Sequence, residues 1–394
     1  MEYSEIGKEL EIYTNIDYIG KGFPTILPNG SKMIKLLEQM IEEEEEKRGY
    51  MTVKTPSVSR AEIYMIEDRW KIKKKEIFKI GNEENEDTIV LRPYARPFHC
   101  SIFKQKQYNY KEMPIKYSET SSVFRDESSD EIDGLNCIRQ CTFSDASIFL
   151  LPEQLEEMLK ESVELEQIFM DKLGLNVEFR ISNWDTNNKE EYIGTIKEWD
   201  NAIKLMKKVL DDKKIPYLEA NDAKIYGPSI GIYYNKKLLA KIEIDFEIIH
   251  RFDLKYIDKD GLEQFPVYIH RQDIGSYESM LSILIEKYKG NFPTWIAPIQ
   301  CTIIIEYDEY LEYAEEMKNK LRQRGVRVEI DIAGESIENR IQKAKKICTP
   351  YIVVISRKEY NNNQVSVFRY GKEETKKYTM EEVMQKFERR KGYR

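Results

Sequence analysis

Apolar residues recur at helical spacing in some stretches of the chain and alternate with polar residues in others. Residues 31 to 48 place Met33, Leu36, Leu37, Met40 and Ile41 three and four apart, which predicts an amphipathic helix stopped by Gly49. The acidic run Glu42 to Glu46 reads as that helix's solvated face, and YMTVKTP as a strand ending at Pro56. From Thr88 to Phe149 the pattern is mostly strands and turns, with IVLRP, PIKYSETSSVFR and NCIRQCTFSDASIF as the extended pieces. A helix is predicted from Pro152 to Leu173, burying Leu155, Met158, Leu159, Phe169 and Leu173 and closing at Gly174, and another from Trp199 to Leu210. KIYGP, SIGIYY, LLAKIEIDF and FPVYIH then read as further strands, and Ser276 to Tyr288 as a helix. Residues 1–298 are therefore expected to form an α+β domain built on an antiparallel sheet.

The segment NFPTWIAPIQ, with two prolines in six residues, interrupts the pattern and marks a boundary. Beyond it CTIIIE, a helix from Tyr307 to Arg324, VRVEIDI, a helix from Ser336 to Ile347, and YIVVISR alternate as β-α-β-α-β, which implies a small parallel sheet with right-handed crossovers. VSVFRY and a helix from Met380 to Arg390 complete an α/β domain over 299–394.

Composition narrows the class. With 41% hydrophobic and 34% charged residues in 394, the chain has globular values, and no apolar run approaches the roughly 20 residues of a membrane span. The start, MEYSEIGKELEIY, lacks the basic and apolar regions of a secretory signal, and five cysteines make no disulfide framework, so a cytoplasmic protein is expected. The net charge of −8 argues against a protein that coats nucleic acid, and neither membrane nor DNA is an expected partner. Residues 299–394 nonetheless hold 20 Lys+Arg against 16 Asp+Glu, a net of +4, leaving −12 to the first 298. The tail is the better candidate for meeting a phosphate backbone, with an ordinary solvated surface as the plain alternative.

Candidate chemistry centres on VFRDESSDEIDGLNCIRQCTFSDASIF, residues 123 to 149. Side chains alternate faces along a strand, so Arg125 and Glu127 are expected on one side. Cys137, Arg139, Cys141, Phe143, Asp145 and Ser147 are expected to share a face of the returning strand by the same rule. Arginine can clamp a phosphate, a carboxylate can accept from an exocyclic amine, and Phe143 offers a stacking surface, which together suggest a nucleotide pocket. Cross-strand ion pairs on an exposed sheet face are the structural alternative.

Over nearly its whole length the chain resembles the catalytic and anticodon-binding domains of threonyl-tRNA synthetase, a class II aminoacyl-tRNA synthetase. The resemblance rests on Pro56, LRPYARPFH, FRDE with GLNCIR and DASIF, YGP at 226 to 228, EIDF, IHRQDIGSYES and FPTWIAPIQ. It implies an ATP-dependent, Mg2+-assisted adenylating fold on an antiparallel sheet, a homodimer formed around the first helix and strand, and tRNA binding through 299–394. It also implies that the family's N-terminal editing region is absent. Carried over by position, Arg125 matches the catalytic arginine at the α-phosphate and Glu127 the carboxylate that recognises adenine. Tyr226, Asp245 and Asp145 match positions lining the adenylate or the amino acid. The family's zinc ligands fall on Arg96, Ser147 and His270, of which only His270 can ligate zinc, so zinc-based selection of threonine is expected to be lost. Arg96 is then placed to meet an anionic or polar group of another amino-acid-like substrate.

The nucleotide side departs from the family too. Cys137 stands where an arginine meets the γ-phosphate and Cys141 where a phenylalanine stacks on adenine. Arg139 and Phe143 repeat that pair two residues later and keep the face. Ser279 replaces the arginine that closes the third motif over ATP, and Ser229 a lysine after YGP. In the C-terminal domain VSVFRYGKEE keeps only Arg369 among the expected basic residues. These readings leave two functions open: an adenylating enzyme with a changed amino acid, or a non-catalytic paralogue that binds tRNA or regulates a partner.

Overall fold

The computed structural model describes residues 3–67, 70, 74–81, 85–185, 187–332, 334–372 and 375–388. The chain divides into two compact units, one of Gly20–Phe23 with Glu38–Met280 and one of Met1–Ile19, Pro24–Leu37 and Leu281–Arg394.

The first unit is organised by an eight-stranded sheet. Its strands are β1 (Met51–Thr52), β2 (Ile115–Phe124), β3 (Gln140–Leu150), β4 (Glu178–Ser182), β5 (Tyr217–Ala220), β6 (Ser229–Tyr234), β7 (Lys237–Ile244) and β8 (Val267–Ser276). They lie in the order β5-β4-β6-β7-β8-β3-β2-β1, antiparallel except for the two outer pairs. The expected antiparallel α+β sheet is what the chain forms. Helix α1 (Pro28–Glu46) opens with proline and is followed by Gly49 at φ +77°, a conformation that favours glycine. Helix α2 (Arg96–Lys104) lies in the stretch expected to be mostly strands and turns, where no helix is predicted. Pro97 in its first turn is compatible with a helix start, and Phe98, Cys100 and Phe103 bury its inner side. Helix α3 (Leu155–Leu173) ends at Gly174 in the left-handed region, as its sequence indicates. Helix α4 (Ile196–Asp212) begins with a capping box: Thr195 Oγ1 accepts from the Glu198 amide at 3.2 Å, while the Thr195 amide donates to Glu198 at 2.7 Å. KIYGP, expected as a strand, forms a turn closed by a bridge between Lys224 and Gly227. The last of the expected helices in this stretch, α5, spans Tyr277–Tyr288.

In the second unit β9 (Cys301–Ile305), β10 (Val328–Asp331), β11 (Tyr351–Ile355), β12 (Val365–Arg369) and β13 (Lys376–Tyr378) form a sheet in the order β10-β9-β11-β12-β13. The first three are parallel, as the β-α-β-α-β reading requires, and helices α6 (Leu311–Gln323) and α7 (Ile337–Lys346) supply the crossovers. Strand β13 and a short helix at Arg357–Asn361 had no counterpart in the sequence reading. The last helix, α8, runs Met380–Glu388; residues 389–390 of the predicted helix lie outside the described residues. Ile303, Ile305, Ala314, Met317, Leu321, Val353, Ile355, Val365 and Val383 make this unit's core.

Candidate functional site

The site lies on one face of the first unit's sheet, where β7, β8 and β3 run side by side. Register pairs Lys241 with Gln272 and Gln272 with Asp145, and in the next row Glu243 with His270 and His270 with Ser147. Because successive side chains alternate, these six residues project to the same face. Above them is a cavity of about 200 Å3 lined by Glu76, Ile77, Pro93, Tyr94, Arg96, Arg125, Asp145, Tyr226, Lys241, Glu243, His270 and Gln272. Five of the residues singled out from sequence thus meet in one place: Arg96, Arg125, Asp145, Tyr226 and His270. Lys241, Glu243 and Gln272 were missed, although Lys241, Glu243 and Asp245 form a charged period-two row in LLAKIEIDF that pointed to them.

Arg125 follows directly on β2, and its amide donates to the Arg139 carbonyl at 2.9 Å, extending the pairing of β2 with β3 by one step. Its guanidinium lies 5.5 Å from the centre of the Phe143 ring. Among the described residues it forms no side-chain hydrogen bond or ion pair, so its donors face the cavity unengaged. Phe143 in turn packs against Val123, Ile138 and Cys141. Burial pushes the Cys141 thiol up to about 12, so it is an apolar neighbour rather than a nucleophile.

Glu127 and Arg139, expected on facing strands, lie beyond the strand ends, because β2 stops at Phe124 and β3 starts at Gln140. The Arg139 side chain donates to the Glu127 carbonyl at 3.0 Å, the Lys21 carbonyl at 3.1 Å and Ser129 Oγ at 3.3 Å. Its guanidinium therefore closes a loop, and neither Glu127, Arg139 nor Phe143 lines the cavity.

Arg96 is buried and encircled by acid. It donates to Asp245 at 2.8 Å and to Glu67 at 3.0 Å, and Glu243 stands 3.9 Å away. Burial works against the charge, but Glu67 and Asp245 outweigh it and hold Arg96 well above the usual arginine range. Arg96 is thus not available to an anionic substrate group, which corrects the sequence reading: a buried guanidinium needs carboxylates, and it has recruited them. Tyr226, whose ring centre is 5.7 Å from Arg96, is carried by a turn that only glycine permits, since a Cβ on Gly227 would lie 1.8 Å from the Ile244 carbonyl oxygen.

Asp145 accepts from or shares a proton with His270 Nε2 at 3.1 Å. Ser147 and Asp245 sit behind the cavity. Ser147 Oγ is 2.9 Å from His99 Nδ1 and 2.8 Å from the Tyr268 hydroxyl, and His99 Nε2 is 3.3 Å from Glu119. Asp245 accepts the amides of Glu247 and Ile248 besides Arg96. Of the three positions matched to zinc ligands, one is a guanidinium already ion-paired, one a hydroxyl bonded elsewhere, and one an imidazole. That donor set does not fit a three-ligand zinc site. Among the described residues no group of three His, Cys, Asp or Glu side chains is arranged to hold a metal. Ser279 turns away into its own helix start, donating to the Ser276 carbonyl at 3.0 Å.

Comparisons with known proteins agree with this architecture. Residues 76–288 match the family model for the tRNA synthetase class II core domain (G, H, P, S and T), and residues 296–390 the model for an anticodon binding domain. The threonine–tRNA ligase of Clostridium botulinum (strain Eklund 17B / Type B) is 41% identical over 375 residues, covering 93% of this chain and 58% of that protein. The threonine–tRNA ligase of Oceanobacillus iheyensis is 36% identical over 382 residues, covering 95% and 59%. The chain therefore spans about three fifths of the length of these curated relatives. A crystal structure of the RNA binding domain of threonyl-tRNA synthetase from Cryptosporidium parvum superposes with a TM-score of 0.90 at 25% identity, over 98% of both chains. Among the described residues no helix is long and apolar enough to cross a membrane. With a family model covering more than half of it and the sheet in place, the chain belongs to the class II tRNA synthetase core family (G, H, P, S and T), with an anticodon-binding domain following the core in sequence.

Proposed function

We propose that this chain activates an amino acid with ATP, forming an aminoacyl-adenylate that is passed to tRNA or another acceptor, without zinc and without selecting threonine. The observation that carries this reading is the unengaged Arg125 guanidinium, which shares a cavity with Asp145, His270 and Tyr226. ATP enters as its Mg2+ complex. The substrate's carboxylate oxygen attacks the α-phosphorus, a carbon–O–phosphorus anhydride forms, the bond from that phosphorus to the β-phosphate oxygen breaks, and pyrophosphate leaves with the electron pair. Arg125 donates to the α-phosphate oxygens, where negative charge grows in the transition state. Glu127 recognises adenine, and Asp145 takes the substrate's ammonium. The acceptor's nucleophile then attacks the acyl carbon, AMP departs, and the nucleophile's proton is lost. Residues 1–298 form the catalytic domain and 299–394 the tRNA-binding domain, in a cytoplasmic homodimer.

A specific observation favours a second reading. Among the described residues, the two matched to the γ-phosphate side are engaged elsewhere: Arg139 closes a loop, and Ser279 is bonded to its own helix start. On that reading the fold is kept as a non-catalytic, tRNA-binding or regulatory paralogue. Amino-acid-dependent pyrophosphate exchange, run over all twenty amino acids, separates the two. Exchange with at least one of them, abolished by Arg125→Ala, is the expected result. Silence with all twenty, together with retained tRNA binding, overturns activation and leaves the paralogue.

A further inference from the structure

Sorting the cavity's polar groups by what they already hold shows further unengaged donors away from Arg125. Lys241 donates one hydrogen bond, to Glu243, and its ammonium has two further N–H groups with no described partner. It is 20% exposed, so it neither floats in solvent nor lies sealed in the core. Gln272, next to it in register, has a side-chain amide that bonds to none of the described residues. Directly opposed residues in an antiparallel pair have Cβ atoms about 5 Å apart, so the Lys241 ammonium and the Gln272 amide can address one group. On the far side of Gln272 stands Asp145, which keeps one carboxylate oxygen beyond its contact with His270. Acceptor and donors thus lie in a row of three strands along the cavity floor.

Resting on the activation reading, we infer that this row selects an amino acid with a carboxylate side chain: Asp145 takes the α-ammonium while Lys241 and Gln272 bind the side-chain oxygens. A carboxylate is acceptor-only and engages both donors, with a charge-assisted bond to Lys241. An apolar side chain of equal size would strand two part-buried donors, and a hydroxyl, though its oxygen can accept from both, carries no charge to pair with the Lys241 ammonium. Arg96, being neutralised by Glu67 and Asp245, does not compete for the side chain; it fixes the acidic row from which Lys241 projects.

Two measurements on the full chain test this separately from activation. In calorimetric titration with free amino acids and in pyrophosphate exchange, aspartate or glutamate is expected to outperform threonine, serine and valine. Lys241→Met is expected to raise the KM or Kd for the acidic amino acid about 50-fold while leaving the KM for ATP unchanged. Gln272→Leu, which introduces no change of charge, is expected to raise it less, about 5-fold. Unaltered thermal unfolding shows that both variants fold. Binding of an acidic amino acid without exchange supports the inference and sinks activation. Exchange led by threonine or an apolar amino acid, insensitive to Lys241→Met, overturns the inference and leaves activation standing. Failure of every acidic amino acid to bind also overturns it.

Discussion

Strand β8 offers polar side chains to both faces of the sheet, and the two faces treat them in opposite ways. Toward the cavity, His270 and Gln272 are half-buried beside Arg125 and Lys241, whose hydrogen-bonding capacity is only partly used. Toward the other face, Arg271 and Asp273 are 0% exposed and meet Glu45 from α1 and Glu166 from α3. Arg271 donates to Glu45 and Asp273, stands 3.8 Å from Glu166, and lies 5.0 Å from the centre of the Tyr50 ring. Three carboxylates around one guanidinium leave an excess of negative charge that a buried site does not sustain, and protons relieve it. Burial is the chief cause that raises Glu166 well above the usual carboxylate range, and it raises Glu45 to about 7; the charge of Asp273 adds to both, and Arg271 opposes. As carboxylates, Glu166 and Asp273 would leave three oxygens without a partner. With a proton, Glu166 donates to Asp273, which engages one oxygen of each. Charge alone therefore does not mark function; what matters is which donors and acceptors remain unengaged and reachable.

The most severe way to break the comparison is to remove each face's arginine. Arg271→Met strands buried carboxylates and is expected to cost about 3–5 kcal/mol in a urea unfolding titration. Arg125→Met, by contrast, removes a part-exposed cation resting on a ring, costs less than about 1 kcal/mol, and eliminates pyrophosphate exchange. Equal destabilisation by the two substitutions would show that the faces are not different in kind.

The next effect is in pH. Glu45 holds a proton in the fold that it gives up at its ordinary 4.5 when unfolded, and the folded group titrates near 7. The folded state thus binds more protons between these values, so the contribution is fully present below about 4.5 and lost as pH rises toward and through 7. The loss is of the order of 3 kcal/mol by linkage. Stability measured by urea titration is expected to fall across that window, and Glu45→Gln to flatten the slope. An unchanged slope in the variant would place the proton elsewhere in the cluster.

Most of the fold was legible because it rests on local pattern: the 3.6-residue period of α1 and α3, the glycine after each, and the β-α-β-α-β alternation that fixes the second sheet as parallel. Helix α2 was not, because it is only nine residues long and begins between Pro93 and Pro97, in a stretch whose pattern is mostly strands and turns. The site was legible where residues sit on a strand. Asp145 and His270 come together because their strands pair; Glu127 and Arg139 do not join them, because Glu127 lies three residues past the end of β2 and Arg139 one before the start of β3, and period-two reasoning fails off the ladder. Lys241 and Gln272 were missed for another reason: the alternating charges of LLAKIEIDF mark Lys241, but what joins it to Gln272 and Asp145 is register across three strands, which no single stretch of sequence contains.

The mildest perturbation acts on the boundary between the two kinds of residue. Phe143 belongs to a small apolar cluster with Val123, Ile138 and Cys141, yet its ring is also what Arg125 rests on. A cation over a ring at a part-exposed site contributes about 0.5–1 kcal/mol, so Phe143→Leu is expected to lower stability by about 1 kcal/mol through the lost ring contacts. If the ring serves only the cluster, nothing else changes. If it aims the guanidinium at the α-phosphate, the KM for ATP rises about 3-fold and the KM for the amino acid stays put, because Arg125 alone loses its support while Asp145 and Lys241 are held by the sheet. A matching rise in both constants would instead mean that the substitution loosens the whole floor, and that the nucleotide and amino-acid ends of the cavity are not positioned independently.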